Sequence, residues 1–371
     1  MKIVVLSGAA ESLANVRAPL LRAMADAGHS ITACAPGADA AVAARLETFG
    51  VNYHSVTLDR TGMNPLRDVR FIFNFARFLR TDPPDIFLGY NIKPVIYGSL
   101  AARRARVPRI FSLMSGLGYA FTEGNTRQRL VGRVARSLYR LALPHSDAVF
   151  FQNPDDLKLF LDLGLLHDSR RAVRINGSGV DLDVFSAAPV SSQPLVFLFV
   201  ARLLREKGVL EYIEAARRLK DRYPNVHFQL LGRYDTNPSA IKAEQVESWQ
   251  RNGFVEYLGA ATDVRPFLAN SSVFVLPSYY REGIPMSVLE AMATGRPIVT
   301  TDVPGCRETV VEGENGFLVP ARNVAALSTA MERLIRSPDL LAPMGRRSRE
   351  IAVERFDVKK VNAVILKTMG L

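Results

Sequence analysis

The sequence predicts an α/β protein made of two doubly wound parallel sheets, and three observations lead to that class. Short apolar runs alternate with helical patterns almost throughout the 371 residues, as they do in parallel sheets covered on both faces. The alternation restarts near residue 195, after a Pro/Ser-rich segment at 187–194. A chain of this length also favours about two domains. We therefore predict a first domain at 1–185 and a second, similar domain at 190–350.

The predicted elements follow in order along the chain. The first domain is expected to contain five strands, at 2–6, 30–34, 86–89, 109–113 and 148–152. The second is expected to contain strands at 195–200, 228–231, 273–276 and 297–300, a short strand and turn at 254–259, and helices at about 209–222 and 286–293. The tail at about 355–371 is predicted to be helical. Ligands of such sheets bind beyond the carboxyl ends of the strands, so we expect substrates in a cleft between two facing domains.

Composition limits the classes of site and the location of the protein. Cys34 and Cys306 are the only cysteines, and the five histidines are scattered without ligand spacing, so we expect no metal and no disulfide framework. The first apolar run, at 1–6, is too short for a signal peptide. Because no stretch approaches the roughly 18 apolar residues of a membrane-spanning helix, we expect a cytoplasmic protein.

The segment at 281–290 carries the most chemical information, with the sequence Arg-Glu-Gly-Ile-Pro-Met-Ser-Val-Leu-Glu. Pro285 suits a helix start, and Gly295 suits the position just past a helix end. Glu282 should then precede the helix N-terminus, with Glu290 about two turns in. Free N–H groups and the positive end of a helix attract phosphate, and a neighbouring carboxylate suits a sugar hydroxyl. The segment therefore indicates a sugar-nucleotide site.

Two cations follow the first strand of the second domain directly. Arg202 offers a planar fork and Lys207 a point charge, a pairing that suits a diphosphate. The alternative is a pair of solvated surface cations. Gly232 ends another strand in the same domain and would permit close approach of a ligand.

Small or polar residues also follow strands of the first domain. Gly8 lies in a loop that could admit phosphate or sugar. Asn91, Lys93 and Tyr119 lie in two further loops that are candidates for acceptor binding, although a structural role would also explain each of them.

The net charge of +11 is concentrated in two predicted helices of the first domain. One carries Arg129, Arg133, Arg136 and Arg140 on one face, and the other, at 65–79, mixes Arg67, Arg70 and Arg77 with Phe71, Phe75 and Phe78. Such helices can bind an anionic membrane, with each cation contributing on the order of 1 kcal/mol. The alternative places the phenylalanines in the core and the arginines in solvent. No DNA- or RNA-binding motif is present, so nucleic acid is not expected as a partner.

These motifs resemble those of the retaining glycosyltransferases of family 4, and the resemblance covers essentially the whole chain. It implies a GT-B fold, with a nucleotide sugar held by the C-terminal domain and the acceptor by the N-terminal one. It also implies that the last helix crosses back onto the N-terminal domain. The loops beginning at Asn91 and Gly116 are similar to those of a bacterial subgroup, including N-acetylgalactosaminyltransferases, that extends undecaprenyl-diphosphate-linked glycans.

The resemblance implies a role for each matched residue. Arg202 and Lys207 would hold the diphosphate of a UDP-sugar, Glu290 the ribose hydroxyls and Glu282 the donor sugar. N–H groups of a further set would bind sugar and phosphate: Gly283, Ile284, Met286 and Ser287. Neither metal nor cofactor is expected, because the cations and the helix end neutralise the leaving diphosphate.

The sequence departs from the family pattern at three points. A glycine pair that many relatives have after the first strand is here Gly8-Ala9, and the second glycine expected after Gly232 is Arg233. A first-domain histidine near the donor sugar is also missing from the segment at 112–118. The predictions for the first-domain donor contacts are therefore less direct than those for the second domain.

The expected function is a retaining transfer of an N-acetylhexosamine or hexose from a UDP-sugar to a lipid-linked glycan. The enzyme would act at the cytoplasmic face of the inner membrane, in the assembly of bacterial surface polysaccharide or glycoprotein glycans. Two alternatives remain: a sugar-nucleotide epimerase on the same fold, which needs no acceptor, and a non-catalytic polybasic binder of membranes or nucleic acid.

Overall fold

The computed structural model describes the backbone of residues 1–59, 62, 64–121 and 126–371, with side chains for all of these except 119, 120 and 126–128. The chain divides into two compact units. Unit 1 consists of Met1–Ser178 together with Val358–Leu371, and unit 2 of Gly179–Asp357.

The first stretch of unit 1 ends at Ser178, whereas the first domain was predicted to end at 185. The boundary between the units therefore precedes the Pro/Ser-rich segment at 187–194. Side chains of unit 2 hold the residues in between. Arg349 donates hydrogen bonds to the carbonyls of Leu182 and Phe185, and Arg296 donates to the carbonyls of Ala188 and Pro189. Because these carbonyls are bound by unit 2, the segment belongs to that unit.

The described residues of unit 1 form a seven-stranded parallel sheet in the order β3-β2-β1-β4-β5-β6-β7. Its strands are β1 (Lys2–Ser7), β2 (Ser30–Pro36), β3 (Val51–Val56), β4 (Ile86–Tyr90), β5 (Arg109–Met114), β6 (Ala148–Phe151) and β7 (Ala172–Arg174). The α-helices between them are α1 (Ala10–Ala14), α2 (Ala18–Asp26), α3 (Ala40–Glu47), α4 (Pro65–Thr81), α5 (Ser99–Ala105), α6 (Thr126–Ala142) and α7 (Pro154–Asp162). A π-helical turn (Pro94–Gly98) leads into α5, and short 3₁₀ turns lie at Gly118–Phe121, Leu143–His145 and Ser169–Arg171.

Unit 2 repeats the architecture with a six-stranded parallel sheet in the order β10-β9-β8-β11-β12-β13. Its strands are β8 (Val196–Val200), β9 (His227–Leu231), β10 (Glu256–Tyr257), β11 (Val273–Leu276), β12 (Ile298–Thr301) and β13 (Gly316–Val319). Its α-helices are α8 (Val209–Lys220), α9 (Ala243–Arg251), α10 (Arg265–Ala269), α11 (Met286–Ala293), α12 (Val324–Arg336) and α13 (Leu341–Arg355). The last helix of the chain, α14 (Val358–Met369), belongs to unit 1.

Both faces of the central part of the unit 1 sheet are buried, which explains why strands such as β1, β4 and β6 are nearly continuous apolar runs. Alternate residues of β1 enter different cores: Ile3 and Val5 pack with α1 and α2, whereas Val4 and Leu6 pack with α4 and α5. Since the strands are parallel, their carboxyl ends and the loops that follow share one edge of the sheet. The same holds for unit 2.

The prediction of two parallel α/β sheets is confirmed, and each predicted strand lies within two residues of an observed one. Three observed strands were not predicted: β3, β7 and β13. β3 carries polar residues at alternate positions because it lies at an edge of the sheet and is only partly buried. β13 begins at Gly316, whose backbone closely approaches Ile298 of β12, so glycine there reflects strand packing.

The assignment of α14 to unit 1 leads to a stability prediction. Ile365 is fully buried among unit 1 residues such as Leu21, whereas the neighbouring Val364 is 42% exposed. We expect Ile365→Ala to destabilise unit 1 by about 2–5 kcal/mol because it leaves a core cavity. The matched change Val364→Ala should cost less than about 0.5 kcal/mol.

Denaturant unfolding monitored by hydrogen exchange would measure the change in free energy of unfolding for each variant and assign it to a unit. Equal effects of the two variants, or destabilisation confined to unit 2, would contradict the packing of α14 in unit 1.

Candidate active site

The loop after β8 packs against the loop after β11 and is hydrogen-bonded to it through the backbone. The β8 loop ends in a short 3₁₀ turn, Arg205–Lys207, and the carbonyl of Glu206 accepts hydrogen bonds from the N–H groups of Tyr279 (2.9 Å) and Tyr280 (3.1 Å). Gly208 follows with a φ of +79°, and a Cβ there would lie only 2.1 Å from the carbonyl oxygen of Pro277. Glycine is therefore required at this position by both conformation and space.

This docking brings Lys207 to Glu282. Their Nζ and Oε2 atoms are 2.5 Å apart, and the two side chains are only 13% and 14% exposed. The Ser278 hydroxyl donates to the other carboxylate oxygen at 2.9 Å, and the Lys207 Nζ lies 5.6 Å from the centroid of the Tyr280 ring. Two residues predicted for separate parts of a ligand thus form one ion pair.

Arg202 also has a carboxylate partner. Its Nη1 donates to Asp235 Oδ2 at 2.9 Å, and Arg202 keeps about a third of its side-chain surface exposed. Asp235 lies on the loop after β9. Together with neighbours such as Tyr234 and Asn237, Asp235 lines a cavity of about 630 Å³. The two cations that the sequence predicts for a diphosphate are therefore each held by an acidic side chain.

The predicted helix start is confirmed. Pro285 precedes the first helical residue, Met286, and its carbonyl accepts the N–H groups of Val288 and Leu289. Among the described residues, none accepts a hydrogen bond from the N–H of Met286 or Ser287, so these donors remain available at the positive helix end.

The residues that precede α11 pack closely against the end of β12 and the loop that follows it. Gly283 and Ile284 are both buried. A Cβ on Gly305 would lie 1.8 Å from the carbonyl oxygen of Gly283, and Gly305 has a φ of +89°. The Thr301 hydroxyl also donates to the carbonyl of Ser278. The loop that carries Glu282 is consequently held on two sides.

Gly232 has a structural explanation. A Cβ there would lie 1.9 Å from the carbonyl oxygen of Ala201, and the Gly232 N–H donates to the carbonyl of Gly259. The close approach at Gly232 is thus made by the backbone after β8. A contact between Gly232 and a ligand stays a prediction.

In unit 1, the structure brings some predicted residues together. A Cβ on Gly8 would lie 3.7 Å from the Asn91 side-chain oxygen, and the Asn91 amide donates to the Ser115 hydroxyl at 2.8 Å. These loops share the carboxyl edge of β1, β4 and β5. Lys93 instead donates to the buried Asp68 of α4 at 2.7 Å, so its ammonium is already paired. The Tyr119 side chain lies outside the described residues.

Sequence reasoning did not select four residues that shape the unit 2 site: Asp235, Ser278, Gly305 and Cys306. Ser278 comes two residues after a predicted strand, a position that could have drawn attention to it. Cys306 is fully buried near Glu282, and burial together with that carboxylate raises the pKa of its thiol to about 12. It is therefore an inert thiol beside the ion pair.

Among the described residues, no His, Cys, Asp and Glu side chains form a group of three that could hold a metal ion. Within the same part of the chain, every helix is too short or too polar to cross a bilayer.

Comparison with known proteins identifies the family. Residues 13–177 match the model described as glycosyl transferase 4-like domain, and residues 194–337 match the model described as glycosyl transferases group 1. A Campylobacter jejuni protein, N,N'-diacetylbacillosaminyl-diphospho-undecaprenol alpha-1,3-N-acetylgalactosaminyltransferase, is 30% identical over 95% of this chain and 94% of its own length. The chain belongs to glycosyltransferase family 4.

Two further comparisons agree with this assignment. An Escherichia coli UDP-Gal:alpha-D-GlcNAc-diphosphoundecaprenol alpha-1,3-galactosyltransferase is 24% identical over 80% of this chain and 77% of its own length. The crystal structure of Anabaena Alr3699/HepE in complex with UDP-glucose superposes with a TM-score of 0.80 at 20% identity, covering 100% of this chain and 99% of that one. This family 4 glycosyltransferase has the GT-B fold.

The two basic helices of the transferase, α4 and α6, were predicted to bind an anionic membrane, and their exposed residues match that prediction only in part. In α4, Phe71 and Phe75 are buried in the core and Phe78 is half-buried against His54, so these rings do not face a membrane. The buried pair forms part of the helix stripe that covers the sheet.

In α6, apolar and basic residues are exposed side by side. Leu130, Val134 and Leu141 are each more than half exposed, and Arg129 and Arg133 are exposed beside them. α4 also exposes apolar side chains among its exposed arginines, namely Leu66, Val69 and Phe73. Both helices therefore present a mixed basic and apolar face, and in α4 this face does not include the buried Phe71 and Phe75.

Glu290 is the carboxylate whose titration is most perturbed in the unit 2 site. Burial raises the pKa of Glu290 to about 7, and among the described residues none donates a hydrogen bond to its carboxylate. An ionised Glu290 is thus disfavoured in the ligand-free fold, and hydroxyl donors of a ligand would stabilise it.

This raised pKa leads to a prediction about pH. The stability contributed by neutral Glu290 is fully present below its unfolded-state pKa and is lost as pH rises to about 7. We expect Glu290→Gln to unfold at a higher temperature than the parent protein at pH 8, with a smaller difference at pH 5. Ligand-free thermal unfolding at both pH values measures this.

Glu244→Gln, an exposed change in α9, serves as the control and should show no such pH dependence. A Glu290→Gln difference that stays constant from pH 5 to pH 8 would disprove the raised pKa.

Proposed function

We propose that this protein is a retaining, metal-independent glycosyltransferase that moves an N-acetylhexosamine or hexose from a UDP-sugar to an undecaprenyl-diphosphate-linked glycan. The similarity to the Campylobacter N-acetylgalactosaminyltransferase over 95% of the chain carries this proposal. The Escherichia coli relative, whose name also specifies a diphosphoundecaprenol acceptor, supports the same acceptor class. Other relatives are named for colanic acid biosynthesis and for lipopolysaccharide core biosynthesis, which supports surface polysaccharide assembly as the process.

The donor diphosphate is proposed to bind between Arg202, Lys207 and the start of α11. In the ligand-free protein each cation pairs with a carboxylate, Arg202 with Asp235 and Lys207 with Glu282. A diphosphate brings two or more negative charges and several acceptor oxygens, so it can share or displace these partners. The available N–H groups at the start of α11 supply further donors. This positive charge stabilises the leaving UDP without a metal or another cofactor.

Glu282 and Glu290 have different proposed roles. Lys207 and Ser278 each contact one oxygen of the Glu282 carboxylate, which fixes its orientation for hydroxyls of the donor sugar and for positive charge that develops at the anomeric carbon. Glu290 is proposed to accept hydrogen bonds from the ribose hydroxyls, which would offset the cost of ionising a carboxylate whose pKa is raised.

The proposed reaction retains the anomeric configuration. The acceptor hydroxyl attacks the anomeric carbon on the face from which UDP leaves, while the bond to the diphosphate breaks. A leaving phosphate oxygen takes the hydroxyl proton, so the products are the extended glycan and UDP. In unit 1, Gly8 is proposed to contact the donor. Asn91 and Lys93 are proposed to contact the acceptor, with Lys93 held by its pair with Asp68.

A transfer assay tests this function. A purified prenyl-diphosphate-linked sugar is incubated with UDP-N-acetylgalactosamine, UDP-N-acetylglucosamine, UDP-galactose or UDP-glucose, and extension of the lipid-linked glycan is measured. We expect Arg202→Ala to reduce transfer roughly a hundredfold or more, because a charge-assisted contact to the leaving diphosphate is lost. Arg205→Ala is the matched control, since Arg205 is exposed on the same loop.

The outcomes separate the functions under consideration. Extension that is unaffected by Arg202→Ala would contradict the proposed donor site. Conversion of a UDP-sugar without acceptor would favour an epimerase instead. The nuclear magnetic resonance coupling of the new anomeric proton reports whether configuration is retained.

A peripheral position at the cytoplasmic face of the inner membrane is proposed from the exposed α6 face. Each exposed arginine near an anionic surface contributes on the order of 1 kcal/mol. We expect the double change Arg129→Ser with Arg133→Ser to weaken binding to phosphatidylglycerol-containing vesicles roughly thirtyfold at low salt. Vesicle co-sedimentation measures the change.

The control removes the same charge from unit 2 through Arg251→Ser with Arg346→Ser, both of which are exposed. Equal losses in the two double variants would show that net charge, rather than the α6 face, accounts for membrane binding.

A further inference from the structure

Arg17 is a buried arginine at the carboxyl edge of the unit 1 sheet. It immediately precedes α2, and its N–H donates to the carbonyl of Ser12, which lies within α1. The residue is only 2% exposed. Arginine is almost never fully buried unless its charge is paired, so a buried Arg17 is expected to have an anionic partner.

No acidic residue in the described part of the chain pairs with Arg17. Its guanidinium carbon lies 4.9 Å from the centroid of the Tyr90 ring, and its Nε has no hydrogen-bond acceptor. Burial lowers the pKa of Arg17, and the neighbouring Tyr90 only partly offsets the effect. A buried cation without an anion is strongly unfavourable. Lys93 in the same unit is paired as expected, because its partly buried ammonium donates to the carboxylate of Asp68.

The polar groups around Arg17 come from the ends of two neighbouring strands. Ser7 ends β1 and Tyr90 ends β4, and the two residues are partners in the parallel register. The Tyr90 hydroxyl is buried without a hydrogen-bond partner. Burial raises the pKa of Tyr90, and the charge of Arg17 and the nearby hydroxyls of Ser12 and Ser7 oppose that shift only in part. This cluster lies at the sheet edge beyond which ligands of such folds bind.

We propose that Arg17 anchors a phosphate-binding site in unit 1, with the hydroxyls of Ser12 and Tyr90 as additional donors. A planar guanidinium suits phosphate oxygens, and a bound anion would supply the charge that the protein does not. This inference rests on the proposed function for the identity of the phosphate, because that reaction offers two sources. One is the diphosphate of the UDP-sugar, and the other is the diphosphate of the lipid-linked acceptor.

Binding measurements with the full-length protein test the site. Inorganic pyrophosphate, UDP and geranyl diphosphate, a short-chain lipid diphosphate, are each titrated by calorimetry at low salt into the parent protein, Arg17→Lys and Arg17→Met. Arg22→Met is the matched control, because Arg22 lies exposed on the same helix and carries the same charge. Thermal unfolding without ligand reports whether each variant folds.

We expect Arg17→Met to weaken pyrophosphate binding roughly ten- to a hundredfold and Arg17→Lys to weaken it less, with Arg22→Met unchanged. A loss confined to geranyl diphosphate, with UDP unaffected, assigns the site to the acceptor, and the reverse pattern assigns it to the donor. These assays need no sugar transfer, so they can succeed even where the proposed function fails.

Two results would overturn the proposal. One is unchanged affinity for all three phosphates in folded Arg17 variants, including variants that only lose thermal stability. If neither variant folds, hydrogen exchange of the parent protein replaces the binding comparison. The proposal predicts that pyrophosphate protects the amides of residues 8–17 from exchange. The second overturning result is a lack of protection there, which would show that Arg17 is purely structural.

Discussion

The unit 2 site depends on one contact, the docking of the turn after β8 against the loop after β11. The carbonyl of Glu206 accepts two consecutive N–H groups of that loop, and Gly208 lies so close to Pro277 that no side chain fits. Lys207 lies between these two residues, so its position follows from the backbone contact. The Lys207–Glu282 ion pair is therefore a consequence of how two parallel strands end side by side. Gly305 supports the same loop from the opposite side.

The two units balance charge in different ways. In unit 2, the cations Arg202 and Lys207 are compensated by Asp235 and Glu282 in the ligand-free protein. The proposed donor diphosphate would have to compete with these carboxylates, which would favour a ligand with high charge over a neutral one. In unit 1, the buried Arg17 has no such carboxylate among the described residues. The proposed phosphate sites thus differ in whether the protein supplies the counter-charge before a ligand arrives.

Much of the fold could be predicted because buried parallel strands are short apolar runs with distinctive ends. The predicted helix at 286–293 coincides with α11, since Pro285 and Gly295 mark its limits in the sequence. Edge strands such as β3 were missed because one face of an edge strand is less buried and its residues are more polar. The predicted membrane role of the α4 phenylalanines was wrong for Phe71 and Phe75, because helical spacing alone does not distinguish a core-facing stripe from an exposed one.

The candidate site was only partly predictable, since its decisive contacts join residues far apart in the chain. Residue types and strand ends selected Arg202, Lys207, Glu282 and Glu290, but no local pattern shows that Lys207 pairs with Glu282 or that Asp235 holds Arg202. The same limit applies to Arg17, whose burial depends on the packing of α1, α2 and β4. Such pairings require the three-dimensional arrangement, because they join loops from different strands.

The most direct test of the donor site is a comparison of UDP affinity and transfer rate in Glu282→Gln. If Glu282 acts on the donor sugar while restraining Lys207, the variant should bind UDP as tightly as the parent protein or more tightly, because Lys207 is released toward the diphosphate. Its transfer rate at saturating donor should nevertheless fall roughly a hundredfold or more. An unchanged transfer rate, or a loss of UDP affinity that fully explains the lower rate, would contradict the role assigned to the Lys207–Glu282 pair.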